Sequence, residues 1–493
     1  MRRLLLCLAL CLASCLVNAQ SINDFRQKTQ GRFDAYKKQK QDSFMAYRNK
    51  KNAEMEAFIR AAWEKMPGNR PVPVPPREDK DIPPVVMPEE DRDKVPENTP
   101  VPIQEVIPPV TPTPKPEPLA PIKEVPVQSP QVTLSFYGTQ CSVRFDKASA
   151  PRLSSGKESS VADMWKALCS EQYINFYLDC MQTRDRHRLC DWAYVQFSDA
   201  LSRQIYGDSD DARVLQASVL LQSGYRILMG RDAAGHIHVL MATDSYVFAR
   251  PYWTVEGEQY YLFDGTTPES LNVMTKNPVH LQKIRLFLTG ENAFADAPTP
   301  ARSLSSQDYP EVGASVYTNK NLIGFYDSYP ESFANNDPYT KWRFYAMAPL
   351  SADARKGLYP PLKKAIAGKS ELESANILLN FVQTAFVYEY DDKVWGRDRS
   401  FFADETLFYP FCDCEDRSIL FSRLVRDLMG LDVVLVYHPG HLYTAVRFRD
   451  DVAGDYLTID GNKYVVCDPT YIHAPVGKTM PGMDNTKAVA VKL

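Results

Sequence analysis

Residues 412–442 read CDCEDRSILFSRLVRDLMGLDVVLVYHPGHL, and the fold is decided here. Ile419, Leu420, Leu424, Val425 and Leu428 recur at helical spacing, and Gly430 supplies a stop, so the pattern predicts a helix beginning at Cys414. Leu431 to Tyr437 is apolar and β-branched apart from Asp432, which predicts a strand. Pro439-Gly440 then turns the chain into a second strand that starts at His441 and alternates through Thr444, Val446 and Phe448. A third strand, Tyr464 to Cys467, is ended by Asp468-Pro469. A helix packed on an antiparallel sheet is an α+β arrangement.

Three chemical groups fall at the ends of these elements. Cys414 sits where the first amides and the positive end of the helix dipole favour a thiolate, which predicts a thiol pKa below its free value of about 8.5. Glu415 and Asp416 suit a first helical turn but partly oppose that effect. His441, on a strand edge, is the candidate base, and Asp468 is the carboxylate that would orient it. The bland alternatives are a buried cysteine, a loop histidine and an Asp-Pro turn.

With DCEDRS around Cys414, PGH around His441 and CDPTY around Asp468, the stretch from Leu372 to Met483, about a quarter of the chain, resembles the transglutaminase-like cysteine-enzyme superfamily. The resemblance implies a papain-like core and thiol acyl chemistry. In that chemistry Cys414 attacks an amide carbonyl, His441 carries the proton, and water or an amine resolves the thioester of a peptide or protein substrate. Hydrolysis as a peptidase or amidase is the favoured outcome, with amine transfer as the variant. Position 412, where Gly is expected in this family, is Cys. The Cys414 backbone N–H is the first oxyanion donor. Gln383, in a helix expected over Ala375 to Phe386, is a candidate second donor, with a structural amide as the alternative. Trp395, in the aromatic and charged segment Tyr388 to Ser400, is a cleft candidate, with packing as the alternative.

The N-terminus carries Arg2-Arg3, an apolar run from Leu4 to Leu12, and Val17-Asn18-Ala19 before Gln20. These are the parts of a secretory signal peptide over residues 1–19, which predicts an exported protein, periplasmic, envelope-bound or secreted. Leu12-Ala13-Ser14-Cys15 offers a second processing mode, a lipid anchor at Cys15. No later run is apolar enough to predict a membrane span. Net charge is −4 over 493 residues, a balance that points to neither nucleic acid nor a strongly acidic substrate. Neither a cofactor nor a metal site is expected, since Cys412-x-Cys414 lacks further ligands at finger-like spacing.

Seven cysteines follow the signal peptide, an odd number in an oxidising compartment. Cys412 and Cys467 flank the site and are expected disulfide partners if the three groups meet, with two reduced core cysteines as the alternative. Cys141, Cys169, Cys180 and Cys190 have the number for two further bridges.

Residues 20–66 predict one long amphipathic helix. Phe25, Tyr36, Tyr47 and Phe58 repeat every 11 residues, as do Phe33, Phe44, Met55 and Met66, and this period lines one stripe. From Ser21 the segment carries 11 Lys/Arg against 6 Asp/Glu, so the stripe is expected to dock, self-associate or lie on an anionic envelope surface. Between Pro67 and Pro130 lie 20 of the 37 prolines, which predicts an extended linker over 67–131. Such a spacer would reach on the order of 200 Å.

Residues 132–300 parallel the C-terminal third. Gly207-Asp-Ser209-Asp-Asp matches Cys412-Asp-Cys414-Glu-Asp, Gly235-His236 lies 205 residues before Gly440-His441, and Asp264 follows a strand as Asp468 does. This predicts a diverged, inactive copy with Ser209, His236 and Asp264 in the three positions, a chance match being the alternative. A boundary near Ala297 to Gln307 leads into the catalytic module, 308–493, with Tyr317 to Tyr326 and Trp342 to Met347 expected as strands. The competing function is a non-catalytic, envelope-associated binding or scaffolding protein built on two such cores.

Overall fold

The computed structural model describes residues 2–74, 84–109, 114–278, 280–483 and 485–493, with side chains from residue 26 onward except that of Asn485. The apolar run and cleavage site expected within residues 1–19, and the anchor at Cys15, have side chains outside the described residues. Among the described residues no helix is long and apolar enough to cross a membrane.

Two six-stranded sheets organise the chain. Across the first sheet the order is Glu64–Pro67, Ser270–Val273, Ile227–Arg231, Ile237–Ala242, Glu258–Leu262, Tyr252–Val255. Across the second it is Glu105–Ile107, Val489–Lys492, Asp432–His438, His441–Arg447, Asn462–Cys467, Tyr456–Ile459. Taken place by place, the strands of the two sheets occur in the same chain order. Each sheet is backed by the helix that precedes its central hairpin, Asp210–Gln222 in one and Cys414–Met429 in the other. Neighbours are antiparallel throughout, except that Glu105–Ile107 runs parallel to Val489–Lys492. The fold is thus mixed α+β with antiparallel sheets.

Local sequence explains the second unit. Gly430, at φ 65°, takes the left-handed position that ends the helix. Ile419, Leu420, Phe421, Leu424 and Val425 are fully buried, each contributing on the order of 2 kcal/mol by leaving water. His438 pairs with His441 across Pro439-Gly440, a two-residue turn that needs the positive φ of Gly440.

Several expectations are corrected. The N-terminal helix ends at Arg60 and the chain becomes the edge strand Glu64–Pro67, so Met66 leaves the stripe. The helix docks through Arg48, Asn52, Met55 and Ile59, while Phe33, Tyr36 and Tyr47 remain about half exposed. Lys320–Asp327 and Lys341–Met347 are helices where strands were expected. Asn319 caps the first, and Leu322, Ile323, Phe325 and Tyr326 bury as one helical face, so the aromatic run followed the 3.6 period. The segment Ala297 to Gln307 contains a strand, Arg302–Ser305, paired with Gly313–Val316.

The described parts of the proline segment do not form a free spacer; they strap the body. Met87 N–H donates to the Ile472 carbonyl at 2.9 Å and Ile472 N–H to Val85 at 2.8 Å. Val101 and Ile103 pack with Val434, Val436 and Tyr443 of the second sheet, and Glu105–Ile107 joins that sheet as its edge strand. The Asn175 side chain holds Val125 by both its N–H and its carbonyl, each at 2.9 Å. Proline favours extended backbone and needs no partner for a missing N–H, so such a segment can line sheet edges while its Val, Ile and Met residues bury.

Candidate active site

Cys414 is the first residue of its helix, and the Asp416 carboxylate reaches back to accept from the Asp413 N–H at 3.3 Å. The other Asp416 oxygen accepts from Phe401 N–H at 2.8 Å, tying the helix start to the preceding segment. Arg417 donates to the Gln383 and Phe386 carbonyls at 3.0 and 2.9 Å, fixing this helix to the end of Glu371–Thr384.

His441 opens its strand and is buried. Its Nε2 lies 2.9 Å from Asp468 Oδ2, both side chains being wholly removed from solvent. The pairing of Thr444 with Cys467 brings the end of the third strand alongside, which is why Asp468 reaches the imidazole. Asp468 Oδ1 accepts the amides of Thr470 and Tyr471 at 2.8 and 3.3 Å, so the carboxylate is fixed on both sides. Nδ1 of His441 has no hydrogen-bond partner. The Cys414 sulfur receives the Leu442 backbone N–H, one residue from His441. The imidazole and carboxylate are thus bonded, and the thiol rests on the histidine's own strand.

The electrostatics differ from the sequence expectation. Burial pushes the Cys414 thiol well above its ordinary pKa, and Glu415 and Asp413 push it further. The S–H donates to Glu415 Oε2 at 3.2 Å, so in this arrangement the proton is held by a carboxylate rather than by His441. The favourable helix end is outweighed by desolvation and like charge.

Around the helix start lie Asp391, Asp398, Asp413, Glu415 and Asp416, drawn from two segments of chain. Burial, followed by the neighbouring carboxylates, raises Asp413 and Asp416 well above the usual carboxylate range. Lys341 Nζ is 2.7 Å from Asp398 and is the buried cation of this cluster. In three overlapping triplets, Asp413/Cys414/Glu415, Asp391/Asp413/Asp416 and Asp391/Asp398/Glu415, the candidate ligand atoms lie within 4.8 Å of one another. Among the described residues, these groups are close enough to one another to share a cation. The sequence reading missed them because only Asp413, Glu415 and Asp416 are neighbours in sequence.

Gln383 Nε2 donates to the Asp468, Tyr471 and Ala474 carbonyls at 3.0, 2.7 and 3.0 Å. It braces the loop that carries Asp468, and its donors are spent, which argues against an oxyanion role. Trp395 is half buried, packed edge-on to Tyr409 at 4.8 Å with the Arg399 guanidinium 4.7 Å from its ring. Cys412 and Cys467 are both free and buried; the Cys412 thiol faces the Val387 carbonyl and that of Cys467 faces Val465, so the expected bridge is not formed. Cys141, Cys169, Cys180 and Cys190 are also free.

In the first unit Ser209 caps its helix, accepting from Ala212 N–H and donating to the Tyr206 carbonyl at 3.2 Å. His236 is exposed in the turn before its strand. The imidazole that meets Asp264 is His238, with Nδ1 2.7 Å from Asp264 Oδ2 and Nε2 3.4 Å from Asp232 Oδ2. The match with His441 therefore needed a two-residue shift. Burial opposes ionisation of Asp264, but hydrogen bonds from His238 and Thr266 outweigh it and bring its pKa down to about 2. With carboxylates on both ring nitrogens, His238 has no lone pair to offer Ser209. These groups line an open cleft of about 660 Å³.

No protein-family model matches the chain, and no curated protein or solved structure matches it either.

Proposed function

We propose that the chain is an exported thiol enzyme that acts on amide bonds through Cys414, His441 and Asp468, with hydrolysis favoured over transfer to an amine. One observation carries the reading: His441 gives Nε2 to a fixed Asp468, leaving Nδ1 unpartnered on the strand that also touches the Cys414 sulfur. The Cys414 proton passes to Nδ1 as sulfur bonds to the carbonyl carbon. The resulting imidazolium, stabilised by Asp468, protonates the leaving nitrogen as the C–N bond breaks. Water then adds to the thioester with His441 taking its proton, and the thiol is released. The amide of Cys414, in the first turn of the helix, is the oxyanion donor.

A second reading, a binding or scaffolding protein, draws on the bond from the thiol to Glu415, which holds the proton away from His441. The two are separated by incubating wild type and Cys414→Ala with peptide and peptidoglycan-fragment libraries and analysing products by mass spectrometry. Amide cleavage by wild type alone supports the enzyme. A library left unchanged by both proteins would favour the scaffold.

A further inference from the structure

Arg184-Asp185-Arg186-His187-Arg188 ends the helix Ile174–Arg186, and the chain turns through Arg188 at φ 48° into Cys190, the cap of the next helix. That turn forms one wall of a cavity of about 530 Å³. Lys115 from the strap, Arg184 and Arg188 from the turn, and Arg285 from the far side all line it, against two carboxylates, Asp185 and Asp191. Four side-chain cations against two anions leave an excess of two positive charges.

The carboxylates are already engaged. Asp185 accepts from Arg184 Nε at 3.2 Å and lies 4.0 Å from Lys115. Asp191 accepts from the Tyr225 hydroxyl at 2.8 Å and from the Arg285 backbone amide at 2.9 Å, so both its oxygens are occupied. Arg184 is only 8% exposed, and its Nη1 has no hydrogen-bond partner. The Arg184 guanidinium also lies 5.3 Å from the centre of the Tyr194 ring, and an arginine's planar fork matches the spacing of oxygens on a carboxylate or phosphate. Phe287 and Leu189 give the cavity an apolar side, so it has room for more than the anionic group.

We propose that this cavity is a binding site for a ligand bearing a carboxylate or phosphate oxyanion, seated on Arg184 and Arg188 with Lys115 of the strap at its rim. The site is separate from the thiol centre and does not depend on the chemistry proposed for it. Binding should weaken as salt rises, because the attraction is ionic.

Isothermal titration of the full chain with inorganic phosphate, and with N-acetyl-alanine against N-acetyl-alanine amide, tests this. Saturable binding of phosphate or of the free acid but not the amide is expected, weakened at least tenfold in Arg188→Gln and in Lys115→Gln/Arg188→Gln. Phosphate alone binding assigns a phosphorylated ligand, and the free acid alone assigns a carboxylate. Arg184→Gln should abolish binding where it folds, while the exposed Arg188 variant carries the test if it does not. No saturable binding of either anion, or binding unchanged by Arg188→Gln, would overturn the proposal.

Discussion

Asp468 holds His441 by Nε2, at 2.9 Å, and by doing so selects Nδ1 as the nitrogen available to a thiol. A carboxylate in this position fixes the ring's tautomer and stabilises the charge it acquires.

Replacing Asp468 by Asn keeps the shape but removes that charge. Amide turnover should fall by about a thousandfold with little change in KM, as expected when a triad carboxylate is neutralised. Steady-state kinetics on any substrate found in the library screen checks this, and a comparable rise in KM instead would argue for a binding role.

Glu415 accepts the hydrogen bond of the thiol and adds a like charge beside the sulfur. Glu415→Gln should therefore make Cys414 more acidic, moving its alkylation profile toward lower pH by about one unit. Iodoacetamide rates followed across pH by mass spectrometry would show the shift. An unmoved profile would mean that Glu415 does not control the thiol.

Burial raises Asp404 to about 6 and Glu405 to about 7, although Ser351 and Arg399 respectively pull the other way. Their folded-state pKa values lie above the unfolded ones, so the folded chain binds more protons between roughly pH 4 and 7. Stability from these groups is greatest at low pH and declines as pH rises through that window, by on the order of 2 kcal/mol per group. Urea denaturation of wild type and Asp404→Asn at pH 4.5 and 7.5 should show a smaller pH difference in the variant.

The strap residue Met87 is buried against Tyr471, Ala474 and Met480, next to the loop that carries Asp468. Met87→Asp should release that stretch and open residues 84–92 to limited proteolysis, with a loss of roughly 2–4 kcal/mol if the local packing is cooperative with the core. Equal protease resistance in variant and wild type would indicate that the strap contributes nothing there.

The helix Cys414–Met429 and three of the strands after it were legible because each carries an uninterrupted period with a cap or turn residue at its end: Gly430, Pro439-Gly440 and Asp468-Pro469. The helices Lys320–Asp327 and Lys341–Met347 were not, since short aromatic runs suit either period and the decision falls to tertiary packing. The strap was hidden for another reason. Proline content reports backbone geometry, whereas docking is set by isolated residues such as Met87, Val101 and Val125 between the prolines. At the candidate site the motif pointed to Cys414, His441 and Asp468 but not to their electrostatics. The bond from Cys414 to Glu415, and the approach of Asp391 and Asp398, depend on side-chain placement that spacing does not encode. A fixed offset pairs His236 with His441, whereas the longer turn in the first hairpin puts His238 beside Asp264.

The most direct test is capture of an acyl group on sulfur. A library substrate is mixed with wild type, quenched in acid within milliseconds to seconds, and the peptide containing Cys414 is weighed. The thiol mechanism requires a thioester on Cys414 that disappears with time, and its absence in both His441→Ala and Cys414→Ala. Substrate turnover with no acyl mass on Cys414, or turnover that persists in Cys414→Ala, would contradict it.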